Sequence, residues 1–217
     1  IRTPNDSVAE IGRIDVDYLY DKLMNTFRYG NVSDPKVYVD NFSRYNINST
    51  QIRGAFARLA VGLIQRGEKE KAIEVLDRGL KEVPFSKVEH GYLSFPYADA
   101  YYAAGDTVKG DAIVRGYAKQ ITQRMYYLFN FPDSRKDQVV DDLVEQYRYL
   151  EHLAYSLALP NDRKKLMNEL DQSLEIAELY FGMTRNDKGQ PEANVPPVND
   201  STRKEFMDGI AGHFIVQ

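Results

Sequence analysis

The stretch Arg53-Gly54-Ala55-Phe56-Ala57-Arg58-Leu59-Ala60-Val61-Gly62-Leu63-Ile64-Gln65-Arg66-Gly67, read on through Ala72, Leu76, Gly79 and Pro84, decides the fold. Phe56, Leu59, Ala60 and Leu63 recur at the three- and four-residue spacing that puts side chains on one helical face. Gly67 is a stop residue for that helix, and Pro84 ends the following one while turning the chain onward. Between them Ala60 and Ala72 are small where two helices would cross, and small residues let helix axes approach closely.

A second copy starts near Gly91, 38 residues after Arg53. Counted from Arg53, the first copy fills positions 4, 7, 8, 11, 15, 20, 24, 27 and 32 with Phe56, Leu59, Ala60, Leu63, Gly67, Ala72, Leu76, Gly79 and Pro84. The second fills 7, 8, 11, 15, 20 and 24 with Tyr97, Ala98, Tyr101, Gly105, Gly110 and Val114. Both resemble the 34-residue tetratricopeptide repeat, whose helices A and B form a hairpin. Asp106 suits the N-cap of the second helix B. No proline stands at position 32 of that copy, and Ile121, Met125 and Leu128 keep the apolar spacing, so this helix is expected to run to about Phe129.

Working outward, residues 1–50 read as a lead-in with capping helices. Tyr20, Leu23, Met24 and Phe27 share a face, Gly30 and Asn31 stop it, and Val37, Tyr38 and Phe42 are expected as apolar anchors after Asp34-Pro35. Asn46 to Thr50 suit a cap for the next helix. Residues 51–131 hold the two repeats, and 132–182 a degenerate helical hairpin. Its first helix would turn Val140, Leu143, Val144, Tyr147, Leu150, Ala154 and Leu157 to one side. Pro160 and Asn161 would break it, and Leu166, Leu170, Leu174, Ala177 and Phe181 would line the return. Residues 183–217 read as a loop (184–199) and a short docked helix carrying Phe206, Ile210 and Phe214. The expectation is one all-α domain, a tetratricopeptide-like α-α superhelix with degenerate flanking hairpins.

Composition narrows the function classes. The formal charge of −4, with the two signs interspersed, does not suit a phosphate-backbone binder. No cysteine is present, which excludes disulfide frameworks and thiolate sites. No apolar run is long enough to span a bilayer. The chain starts at Ile1 rather than Met, as an excised piece would, so the lack of a visible signal peptide excludes no compartment.

If the repeat register holds, helix A positions 2, 5, 9 and 12 line a concave groove, where such repeats hold extended segments. These are Gly54, Ala57, Val61 and Ile64, then Tyr92, Phe95, Asp99 and Tyr102. Their character suits an apolar or aromatic segment, or a sugar stacked on Tyr102; equally, flanking helices could fill the groove as core. Tyr97 and Tyr101 fall at packing positions. Arg58 could pair with Asp99 across neighbouring A helices. His90, His152 and His213 are scattered without metal-ligand spacing, and the acidic stripe Asp137, Asp141, Asp142 and Glu145 reads as a solvated face. No metal, cofactor or catalytic residue is expected.

Asp17 to Asn25, Tyr29-Gly30-Asn31, Asp34 to Tyr38, Phe56 to Ala60, Ala72 to Arg78 and Pro96 to Gly105 together resemble a Gram-negative bacterial family. They match the C-terminal soluble region of multi-spanning membrane proteins of unknown function, whose membrane half is similar to protein O-mannosyltransferases. The likeness covers roughly residues 12–131; residues 41–54 depart from the acidic, Asn- and Arg-rich stretch of that family. It implies a periplasmic location and a non-catalytic accessory role, recruiting or orienting an acceptor protein for a membrane glycosyltransferase half. Partners would be a protein or peptide, glycosylated or not, and that membrane half, with no nucleic acid. Asp6-Ser7-Val8, Asp106-Thr107-Val108 and Asp200-Ser201-Thr202 resemble an O-glycan acceptor motif, making Ser7, Thr107 and Ser201 candidates. The alternatives are a homodimerisation module using Tyr126, Tyr127 and Phe129, or a glycan-binding module.

Overall fold

The computed structural model describes residues 14–44, 52–180, 183–185 and 191–193, and apart from one small hairpin these are helical or in short connections. The chain divides into two units, one up to Val114 and one from Arg115. The division falls inside a helix of the second repeat, where the sequence suggested a single domain with its repeats ending near 131.

In the first unit, helix α1 (Val16–Tyr20) is capped by Asp15, whose carboxylate accepts the Tyr18 amide at 3.0 Å. It runs on as a π-helical turn, Asp21–Thr26. A π turn takes more residues than an α turn and rotates the next residues off the face. Leu23 therefore stays buried while Phe27, expected on the same face, emerges into extended backbone and is exposed. Gly30 and Asn31 both adopt positive φ in a turn, but the helix has already ended at Thr26, four residues before the expected stop, because the π turn releases the chain at Phe27. From 37 to 40 the chain has no regular secondary structure, and burial alternates from one residue to the next. Val37 and Val39 turn inward, against Val32, Val83, Val88 and Ile52. Tyr38, expected as an anchor, lies between them and is 81% exposed; Phe42, on a helical turn over 41–44, is exposed as well.

Helices α2 (Ile52–Gln65) and α3 (Lys69–Glu82) form the first hairpin, with Phe56, Leu59, Ala60, Leu63, Ala72 and Leu76 in its core. Each large apolar side chain buried there contributes about 1.5–3 kcal/mol. Helix α4 (Ser94–Ala104) packs on both, and helix α5 (Thr107–Phe129) follows it. The A helices α2 and α4 end the same way. Gly67 at φ +80° and Gly105 at φ +98° adopt the left-handed conformation that side chains resist. Glu68 N–H then donates to Leu63 O, and Asp106 N–H to Tyr101 O, both at 2.9 Å, closing the last turns. Asp106 caps α5 as expected, accepting the Lys109 amide at 3.1 Å.

In the second unit, a 3-10 turn (Asp133–Arg135) leads into α6 (Lys136–Glu151), which continues as a π turn, His152–Ala158. Leu143, Tyr147, Leu150, Leu153, Ala154 and Leu157 face inward. Val139, one turn before Leu143, is buried in place of the expected Val140, which is exposed. After a turn at 159–162, α7 (Lys164–Tyr180) returns with Leu166, Leu170, Leu174 and Ala177 buried.

The stretch 184–199, expected as loop, instead carries strand β2 (Pro191–Ala193) pairing antiparallel with β1 (Met183–Arg185). Three-residue strands are too short to show an alternation in sequence. The Asn46–Thr50 cap, Phe181, the docked C-terminal helix, His213, Ser7 and Ser201 lie outside the described residues.

Candidate partner-binding face

Helix α2 is buried along most of its circumference. The hairpin covers one side, α1 contacts it as well, and a side chain at Gly62 would collide with Val16. What it leaves open is a narrow stripe of Arg58, Val61 and Gln65, flanked by half-buried Ala55 and Ile64. Helix α4, packed beside it, leaves Asp99 and Ala103 open, with Pro96 half-buried a turn before Asp99 and Tyr92 just before the helix's first turn. The spacing of three and four residues on each helix makes these two exposed stripes on an otherwise buried pair.

Of the eight groove positions read from sequence, half are core. Ala57 is buried, Gly54 is buried and a Cβ added there would lie 3.7 Å from Leu93, and Phe95 is buried with Tyr92 edge-on at 5.8 Å. Tyr102 is only 6% exposed, and its hydroxyl donates to Asp111 Oδ1 at 3.0 Å. A sugar stacking on Tyr102 is thereby overturned: the ring lies over Gly110, where a Cβ would strike it. Val61, Ile64, Tyr92 (71% exposed) and Asp99 remain accessible in whole or part. Arg58 is exposed, and among the described residues no ion pair joins it to Asp99.

Behind the face, polar contacts that sequence reading missed lock the repeats together. Asp77 on α3 accepts from Tyr101 Oη at 2.9 Å and from Lys109 Nζ at 2.8 Å. Lys109 also reaches Asp106 at 3.2 Å, and these carboxylates raise its pKa, Asp77 foremost. Burial, then the Asp77 hydrogen bond, pushes the Tyr101 phenol far above its ordinary range.

Arg53, buried in the first turn of α2, donates to Val83 O (3.0 Å), Val88 O (2.6 Å) and Glu89 O (3.0 Å). Burial lowers its pKa to about 10, which leaves it charged at neutral pH. It fixes the connection between the repeats, which is the part that exceeds the usual repeat length. The only sequence signal was an arginine at the first repeat position beside an over-long loop.

In the second unit, Tyr147 Oη donates to buried Glu178 at 3.1 Å, and Arg115 pairs with Glu169 at 2.8 Å. The acidic residues Asp141, Asp142 and Glu145 are exposed, as a solvated face would be. Among the described residues no group of His, Asp and Glu could hold a metal ion. His90 is packed against Phe85, with Nδ1 3.1 Å from Ser94 Oγ, and His152 is exposed. Thr107 is half-buried in the first turn of α5. Of the aromatics proposed for self-association, Tyr127 is exposed, Tyr126 is half-buried and Phe129 is core, which removes Phe129 from that role. No described helix is long and apolar enough to cross a membrane. No family model, curated protein or solved structure matches the chain.

Proposed function

We propose that this chain is a non-catalytic protein-interaction domain, a tetratricopeptide-like helical array that holds a protein segment on its A-helix face. The observation that carries the reading is the pair of exposed stripes, Arg58 and Val61 on α2, and Asp99 on α4 with Tyr92 just before it, on helices buried elsewhere. An aromatic, an aliphatic and two opposite charges on a rigid helical pair supply the anchors and polar rim that a protein segment needs. The repeated glycine caps and the small residues at Ala60, Ala72, Ala98 and Gly110 support the repeat assignment. The sequence resemblance supports the cellular role: a periplasmic accessory region that recruits or orients acceptor protein for a membrane glycosyltransferase-like half. Exposed Tyr127 favours a second reading, a homodimerisation surface.

A photo-crosslinking side chain placed at Val61 or Tyr92, in the intact protein in its host, tests both readings. A discrete crosslinked protein that disappears with Asp99→Arg supports recruitment. Crosslinks only to a second copy support the dimer. No crosslink from either position, while a probe on the opposite helix faces behaves identically, would sink the binding face.

A further inference from the structure

Away from the A-helix face, the segment before the turn at 41–44 meets the turn after α3 in an open hollow lined by Ser33, Lys36, Tyr38, Arg44, Ser86 and Lys87. Three cations, two aliphatic hydroxyls and a phenol meet there, and among the described residues no carboxylate lines the hollow, on a chain whose net charge is −4. The nearest carboxylates along the chain are already engaged: Asp34 accepts the Lys36 amide at 2.9 Å, and Asp40 accepts the Ser43 amide at 3.0 Å and its hydroxyl.

Lys87 is held by its own donors. Its Nζ gives one bond to Pro35 O at 3.0 Å and one to Val37 O at 2.7 Å, leaving the third N–H of the ammonium for another acceptor. Arg44 Nε is buried and finds no acceptor among the described residues. Such a donor is costly to bury unless something accepts from it. Like charges brought together also repel, so the cluster is stabilised by an anion between them.

We infer that this hollow is an anion site that takes a phosphate group. A phosphate offers three or more oxygens to donors arriving from several directions, whereas a carboxylate offers two in one plane; an arginine fork with two ammonium groups matches the former. The phosphate is either free in solution or carried on a lipid headgroup, and the exposed Tyr38 ring at the rim is compatible with both.

The test is a titration of the isotope-labelled chain with inorganic phosphate, followed by amide NMR at constant ionic strength. It is paired with co-sedimentation on phosphatidylcholine vesicles with and without phosphatidic acid. Lys36→Gln, at an exposed side chain, and Arg44→Gln are run alongside, with thermal melts to show that each is folded. Saturable shifts confined to 33–39 and 84–88, weakened roughly tenfold in Lys36→Gln, establish a free-phosphate site, since one charge-assisted bond is about that strong. Sedimentation that requires phosphatidic acid and is lost in Lys36→Gln, without shifts from inorganic phosphate, assigns the lipid-borne group. Shifts spread over the surface, or binding indifferent to both substitutions, overturn the site.

Discussion

The guanidinium of Arg53 sits 4.3 Å from the centroid of the Phe85 ring. The same ring stacks on His90 at 3.6 Å, so the connection between the repeats is a sandwich of cation, aromatic and imidazole. An arginine in this place binds three carbonyls from the far end of a hairpin, which no apolar side chain can do.

Replacing Arg53 by Met should therefore cost about 3–5 kcal/mol, because the carbonyls of Val83, Val88 and Glu89 lose a charged donor inside the protein. Arg53→Lys should recover only part of this, since a single ammonium cannot span the fork. Urea denaturation followed by circular dichroism measures it. The midpoint should fall with little change in slope. A midpoint within a few tenths molar of the parent for Arg53→Met would mean that the loop holds itself.

A second prediction concerns Gly79. Its missing side chain makes room for the Tyr97 hydroxyl and the Phe56 ring, both of which a Cβ would strike. Gly79→Ala should destabilise by about 1–3 kcal/mol through overpacking, although alanine is the better helix former by about 1 kcal/mol. The Tyr97 hydroxyl itself is buried and has no hydrogen-bond partner among the described residues. Tyr97→Phe should thus raise stability by about 1 kcal/mol and relieve part of the Gly79→Ala defect, the contact with Phe56 remaining. Thermal melts of the two single variants and the double variant give the coupling. Additive effects would remove the steric explanation.

These two cases show what the sequence could and could not convey. Gly79 and Ala72 were legible because a repeat position demands a small residue whatever its partner, so the pattern alone reports the close approach. Gly67 and Gly105 were legible for the same kind of reason, a backbone conformation with one favoured residue. Tyr38, Phe42 and Phe27 were misread because apolar spacing was carried across a segment without regular structure and a π turn, where the helical period does not hold. At Gly54, Ala57, Phe95 and Tyr102 the groove positions are core, the alternative the sequence left open, because position numbers say which helix face a residue occupies and burial depends on what else packs there. Arg53 and the phosphate-site cations bring together residues far apart in the chain, which periodicity does not report.

The Asp77 contacts separate a strong interaction from a weak one. Tyr101 donates to Asp77 from the core, whereas the Lys109 and Asp77 side chains are each more than two-fifths exposed. Asp77→Ala should cost about 2 kcal/mol, the value of a hydrogen bond to a charged group. Lys109→Ala should cost less than about 1 kcal/mol and lose even that in high salt. Melting both variants at low and high chloride checks the ranking. Equal costs would mean that the ion pair, not the phenol, joins α3 to the second repeat.

The last prediction rests on His90. Burial against Phe85, then the neighbouring Arg53 charge, lowers its pKa to about 3 from an ordinary value of 6.5. In the unfolded chain the imidazole gains its proton near pH 6.5, while in the folded chain it stays neutral until far lower pH. The unfolded state therefore binds more protons across that window, and stability rises with pH there. The contribution is complete above about pH 6.5 and is lost progressively as pH falls toward about 3. A full proton of difference gives a slope of about 1.4 kcal/mol per pH unit. Aspartates and glutamates titrate over the lower part of the same range, so the parent must be compared with His90→Phe, which keeps a ring against Phe85 and cannot titrate. The constant cost of the substitution drops out, because only the slopes are compared. Between pH 6 and 5, above most carboxylate titration, the parent should lose stability more steeply by roughly that amount. Parallel slopes would show that the imidazole accepts a proton in place, with the loop opening to solvent rather than the chain unfolding.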